Sequence, residues 1–136
     1  MNLSLKYTFL EVSDHEAALA FYRDALGLEV VQDVSMEDQR WLTVSPPAQP
    51  GLGIVLTTAG VGRPPEDART IQELLAKGSL AGLVMEVDDV DATFERIRAT
   101  GAEVLQEPMD MPYGTRDCAF RDPSGNQVRI NQRKKA

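Results

Sequence analysis

The sequence predicts an α+β fold built from two βαβββ modules, and three observations predict it. Val12-Ser13-Asp14-His15-Glu16-Ala17-Ala18-Leu19-Ala20-Phe21-Tyr22-Arg23-Asp24-Ala25-Leu26-Gly27 reads as a strand end, a cap, an amphipathic helix and a stopping glycine. Val87-Asp88-Asp89-Val90-Asp91-Ala92-Thr93-Phe94-Glu95-Arg96-Ile97-Arg98-Ala99-Thr100-Gly101 repeats that plan 75 positions later. Each glycine is followed at once by a strand-like run, Leu28-Glu29-Val30-Val31 and Ala102-Glu103-Val104-Leu105. Two such units nearly fill 136 residues, and the place where duplicated units meet tends to be concave and suited to a small ligand.

Each element follows from local chemistry. Leu3 to Val12 alternates loosely and reads as a strand. Ser13 starts a helix with capping-box spacing to Glu16, Asp14 adds negative charge at its N-terminus, and Gly27 ends it. Leu28 to Val34 and Arg40 to Val44 are the next strands. The turn-rich Ser45 to Gly51 leads to a fourth strand, Gly53 to Thr58. Thr58 to Pro65 is a linker, and Glu66 to Lys77 an extra helix stopped by Gly78. The second copy begins near Leu80, with a strand to Val87, a helix from Val90 to Thr100 and a strand from Ala102 to Gln106. Pro108 to Gly114 reads as a loop. Strands Thr115 to Arg121 and Gln127 to Gln132 follow, joined by Asp122-Pro123-Ser124-Gly125-Asn126, in which Pro123 fixes φ and Gly125 can take positive φ. The expected organisation is one domain over 1–136, with module one at 1–60, the linker and extra helix at 61–79 and module two at 80–136.

Composition narrows the partners. A hydrophobic fraction of 43% with 26% charged residues is that of a globular protein. A net charge of −7 argues against nucleic acid or an anionic membrane as partner. The basic cluster Arg133-Lys134-Lys135 reads as a solvated tail. No run approaches the roughly 20 apolar residues of a membrane span, and no signal peptide is legible, so the expected location is the cytoplasm. The single cysteine, Cys118, excludes an internal disulfide and reads as a small buried thiol.

Alternation assigns two faces to each strand. Leu10, Val12, Leu42, Val44, Ile54, Leu56, Leu83, Met85, Val87, Val128 and Ile130 form an aliphatic set on the helix side, the expected core. The opposite face carries Tyr7, Phe9, Trp41, Thr43, Val55, Thr57, Val84, Arg129 and Asn131, rings mixed with a few polar groups. Met109, Met111 and Tyr113 lie in the adjoining loop, where flexible methionines suit an adaptable rim. Such a mixture fits a largely apolar ligand oriented by few hydrogen bonds. Arg129 is placed to bind a carboxylate, phenolate or quinone oxygen, or to pair with Glu86.

The repeated unit, Phe21-Tyr22-x-x-x-Leu26-Gly27, Phe120-Arg121-Asp122-Pro123-Ser124-Gly125-Asn126 and Pro112-Tyr113-Gly114-Thr115-Arg116 together resemble the vicinal-oxygen-chelate superfamily of glyoxalases, extradiol dioxygenases, fosfomycin-modifying enzymes and bleomycin-binding resistance proteins. The resemblance covers almost the whole chain. It implies curved mixed sheets forming a central cup, commonly in a homodimer, and in the enzymes one divalent metal held by His or Glu from inward strand positions. Those positions match Tyr7, Val55, Gly82 and Arg129, none of which suits a divalent ion. His15, the only histidine, reads as an exposed cap-region residue, and Glu11 and Glu86 as hydrated or salt-bridged strand-end charges. The expected function is therefore metal-free and cofactor-free sequestration of an aromatic or hydrophobic compound, an antibiotic among the candidates. The alternatives are a glyoxalase-like lyase or isomerase or a ring-cleaving dioxygenase, with Tyr7 as acid and Glu11 or Glu86 as base, and a structural dimer whose cup is self-filled.

Overall fold

Alternating apolar positions give most strands one face that must be buried, and the helices over 15–25 and 90–98 are where those faces go. The computed structural model describes residues 1–135. Its elements are β1 (Tyr7–Glu11), α1 (His15–Leu19), continued by a π-helical segment (Ala20–Ala25), β2 (Glu29–Met36), β3 (Gln39–Ser45), β4 (Gly53–Thr57), α2 (Pro65–Ala76), β5 (Gly82–Val87), α3 (Val90–Arg98), β6 (Glu103–Asp110), β7 (Arg116–Arg121) and β8 (Gln127–Gln132). Two βαβββ modules with an inserted helix are thus present. They form two four-stranded mixed sheets, ordered β1-β4-β3-β2 and β5-β8-β7-β6, with β1/β4 and β5/β8 parallel and the other pairs antiparallel.

The repeat extends to register. One transverse row runs Phe9–Val55–Thr43–Gln32 across the first sheet; its counterpart across the second runs Val84–Arg129–Ala119–Gln106. A bulge interrupts both outer ladders at the same place, between Val30 and Gln32 and between Val104 and Gln106. A bulge re-aims the residue that follows it, and here it presents a glutamine at the end of each row.

One continuous core joins the two sheets. Leu10, Val12, Leu42, Val44, Ile54, Leu56, Val128 and Ile130 are buried in it with Phe21, Tyr22, Phe94 and Phe120, and Leu83, Met85 and Val87 pack against its border. This is the aliphatic face that alternation marks out. Because both sheets turn that face to the shared core, their opposite faces look outward. Phe9 is 61% exposed and Val84 66%.

Several boundaries differ from the sequence reading. β1 begins at Tyr7 rather than Leu3, because its parallel partner β4 starts only at Gly53, after Pro50-Gly51. The N-cap of α1 is Asp14, which accepts from the Ala17 N–H at 2.8 Å. Ser13 is drawn away from the cap to the Ser124 hydroxyl of the other module. The segment read as a loop at Pro108 is strand to Asp110, since Met109 and Asp110 pair with Asp117 and Arg116. Pro108 is tolerated because β6 is an edge strand whose register shifts there. Cys118 is a buried free thiol, and Arg133 to Lys135 are exposed. No helix is long and apolar enough to cross a membrane among the described residues.

The motif residues behind the family resemblance hold the modules together. Within the π-helical segment Leu26 N–H reaches back five residues to the Phe21 carbonyl. Tyr22, fully buried, donates its hydroxyl proton to Asp122 Oδ2 at 2.6 Å, across the two modules. Asp122 Oδ1 takes the N–H groups of Ser124, Gly125 and Asn126, and Asn126 Nδ2 donates to both Asp122 and the Glu11 carbonyl. Burial, then the Asp122 charge and hydrogen bond, push the Tyr22 phenol far above its ordinary range, so it stays a donor. These residues mark a fold rather than a reaction.

Candidate ligand site

The outward faces of the two sheets differ in chemistry although they share a backbone plan. On the first sheet, Tyr7 and Phe9 each meet Trp41 edge to face with ring centroids 5.9 Å apart. Such pairs favour this geometry and fix the indole plane. Trp41 Nε1 donates to Gln32 Oε1 at 2.6 Å, so the bulge glutamine orients the indole from its polar edge. Val55 and Thr43 lie buried beneath the rings, and Thr43 Oγ1 has no hydrogen-bond partner. Phe9, Trp41, Val55 and Thr57, with Val34 and Met36 of β2, line an open groove of about 370 Å³. This half is apolar and aromatic.

On the second sheet Val84 and Ala119 keep the equivalent row partly apolar, but a polar cluster forms around Arg129. Arg129 Nη1 donates to Asp117 Oδ1 and to Gln106 Oε1, both at 3.0 Å. Gln106 Nε2 donates to Asp117 Oδ1 at 2.7 Å, and Tyr113 OH donates to Asp117 Oδ2 at 2.7 Å. Asp117 is fully buried. Burial alone would raise its carboxyl, but the hydrogen bonds from Tyr113 and Gln106 and the Arg129 charge more than offset that and hold it below the usual range. The same hydrogen bond raises the Tyr113 phenol. Met111 Sδ accepts from Gln106 at 3.8 Å, Met109 stands exposed on β6, and Asn131 pairs with Glu86 in the β5–β8 ladder, its Oδ1 without a partner.

The sequence-predicted residues therefore fall into two groups on separate sheets: Tyr7, Phe9, Trp41, Thr43, Val55 and Thr57 on one, and Val84, Met109, Met111, Tyr113 and Arg129 on and beside the other. The structure adds Gln32, Gln106 and Asp117. The glutamines were hidden because a bulge breaks period-2 alternation; the doublets Val30-Val31 and Val104-Leu105 are the sequence trace of it. Arg129 pairs with Asp117, not Glu86, although both lie opposite Asn131 on the strands that flank β8. Glu11 is ion-paired with Arg63 of the linker, while Glu86 is exposed. His15 is half-buried rather than exposed, its Nε2 3.0 Å from the Leu56 carbonyl. Burial and then the Asp117 charge push the Cys118 thiol up to about 11, which leaves it protonated behind the sheet.

The four positions that would carry a metal do not fit one. Val55 is aliphatic and buried. Gly82 has no donor, and a Cβ there would lie 2.5 Å from the Gln127 carbonyl oxygen. Arg129 brings a permanent positive charge already spent on Asp117. Tyr7 alone offers an oxygen. Among the described residues no three His, Cys, Asp or Glu side chains gather into a metal-binding group.

The family model of the Glyoxalase/Bleomycin resistance protein/Dioxygenase superfamily matches residues 4–130. The crystal structure of UcmS2 superposes with a TM-score of 0.89 at 35% identity, covering 98% of this chain and 100% of that one. TnmS3, an antibiotic binding protein from Streptomyces sp. CB03234, superposes with a TM-score of 0.76 at 32% identity, covering 98% and 99%. A lactoylglutathione lyase of Neisseria meningitidis is 28% identical over 97% of this chain and 92% of its own length.

Proposed function

The chain belongs to the glyoxalase/bleomycin resistance protein/dioxygenase superfamily, and from that premise we propose that it is a binding protein that sequesters a partly aromatic small molecule, such as an antibiotic, in a cup completed by a second copy of itself. The observation that carries this reading is the division of labour between the sheets. One outward face offers rings and aliphatic carbon, the other an ordered cluster of hydrogen-bonding groups. An aromatic ligand needs both, one for stacking and one for orientation. Both faces point away from the shared core, so one chain cannot close them on the same molecule. Two chains related by a twofold axis can, each lending its aromatic face to the polar face of its partner.

The likeness to TnmS3 supports the ligand class, and the donor set at Tyr7, Val55, Gly82 and Arg129 supports binding without a divalent ion. The likeness to lactoylglutathione lyases keeps the enzymatic reading in view, but those four positions hold no ligand set on which to build it. Trp41 is the only tryptophan and sits in the proposed cup. Titrating metal-stripped protein with a panel of aromatic antibiotics should quench Trp41 saturably and return the compounds unchanged. Quenching that appears only with added Ni²⁺, Zn²⁺ or Mn²⁺, or conversion of the compound, would overturn the reading.

A further inference from the structure

Arg129 is an unusual binding group because its charge is already balanced. Its Nη1 serves Asp117 and Gln106, while Nε and Nη2 make no hydrogen bond among the described residues. The side chain is 25% exposed, whereas that of Asp117 is wholly buried. The guanidinium is thus a donor with spare N–H groups, fixed in place by an anion behind it. Gln106 and Tyr113 keep that anion oriented from two further sides. The Tyr113 hydroxyl proton is taken by Asp117, and the Gln106 amide protons by Asp117 and Met111, so Arg129 supplies the spare donors of this cluster.

We infer that Arg129 selects ligands by the neutral carbonyl oxygen of a conjugated ring system, and discriminates against the corresponding carboxylate. The inference rests on the proposed aromatic-binding role and names the ligand class of that site. A free guanidinium in a cleft prefers an anion. Here a bound carboxylate would bring a second negative charge close to buried Asp117, where low dielectric makes like charges costly. The chain's net charge of −7 adds a long-range field of the same sign. A conjugated carbonyl takes the spare N–H groups without that repulsion, and its ring lies against Trp41 and Phe9 supplied by the other sheet.

The test uses three probes built on one tricyclic ring system: fluorene, 9-fluorenone and 9-fluorenecarboxylate, each titrated calorimetrically into the full chain. Fluorenone should bind about tenfold tighter than either of the others, the worth of one well-placed hydrogen bond. Fluorene is the most apolar of the three, so burial alone predicts the opposite order. The infrared carbonyl band of bound fluorenone should move to lower frequency. In Arg129→Gln the fluorenone-to-fluorene ratio should collapse toward one and the band should return. Circular dichroism establishes folding, and the double variant Asp117→Asn/Arg129→Gln, which leaves no buried unpaired charge, should behave the same. Fluorene and fluorenone binding equally, or the carboxylate binding tightest, would overturn the inference and leave the aromatic-binding role standing. Failure of all three to bind would overturn both.

Discussion

At the scale of single residues the chain separates fold chemistry from site chemistry with two aspartates. Asp122 satisfies a turn and a buried tyrosine, and with Asn126 it ties the modules together. Asp117 organises Arg129, Gln106 and Tyr113 on the outward face. Its carboxyl lies below the usual range in the folded chain, so the native state binds fewer protons than the unfolded state between those two values. Stability from Asp117 is therefore fully present above about pH 4, the ordinary carboxylate value, and is lost as pH falls through the depressed one. Asp117→Asn should cost about 2 kcal/mol at pH 7, because Arg129 and Tyr113 lose an ionised acceptor. Urea unfolding followed from pH 7 to pH 2.5 should show the parent and variant curves converging at the acid end. Parallel curves would mean that Asp117 is not held ionised by this cluster.

At the scale of elements, what was legible from sequence is whatever depends on local periodicity. The core face of β1, β3, β4, β5 and β8 could be read because Leu10, Leu42, Ile54, Leu83, Val128 and their neighbours recur at every second position. Both βαβ repeats could be read because each helix is preceded by cap-forming side chains and followed by a glycine, Gly27 and Gly101, both at positive φ in the structure. The misreadings have non-local causes. Ser13 has cap chemistry but is taken by Ser124, 111 residues away, and Pro108 breaks strand propensity but sits on an edge. Arg129 was legible as a residue of the outward face, but its partner was not, since only the β7–β8 register brings Asp117 within reach. The inserted helix α2 depends on such a long-range fit. Gly125 has φ +124°, and a Cβ there would stand 1.9 Å from the Leu75 carbonyl oxygen near the end of α2. Arg121 meanwhile donates to the Gly125 carbonyl. Gly125→Ala should therefore destabilise by about 2–4 kcal/mol, through strained backbone and displacement of α2. Gly60→Ala, where a Cβ meets open space, should stay within about 0.5 kcal/mol of the parent. Equal effects in urea unfolding would show that α2 is not docked on this turn.

At the scale of the whole molecule the question is which two faces make one cup. The shared core turns the aromatic face of the first sheet and the polar face of the second outward, and exposed Phe9, Met36 and Val84 leave apolar surface that a single chain does not cover. A twofold dimer would use both faces twice, and each cup would mix residues of two chains. Subunit mixing tests this directly. Trp41→Ala disables the aromatic half and Arg129→Gln the polar half, so each homodimer alone should bind a conjugated ketone weakly. In a mixed dimer one cup inherits both defects and the other inherits neither. Random exchange should therefore restore tight binding in about a quarter of all sites, half the dimers carrying one intact cup each. Calorimetry on the two variants, unfolded together and refolded, would report that fraction as stoichiometry at the parent affinity. If the cup lay within one chain, every site would keep one defect and mixing would restore nothing. Full recovery is equally excluded by the geometry, because no arrangement of the two variants gives a dimer with both cups intact.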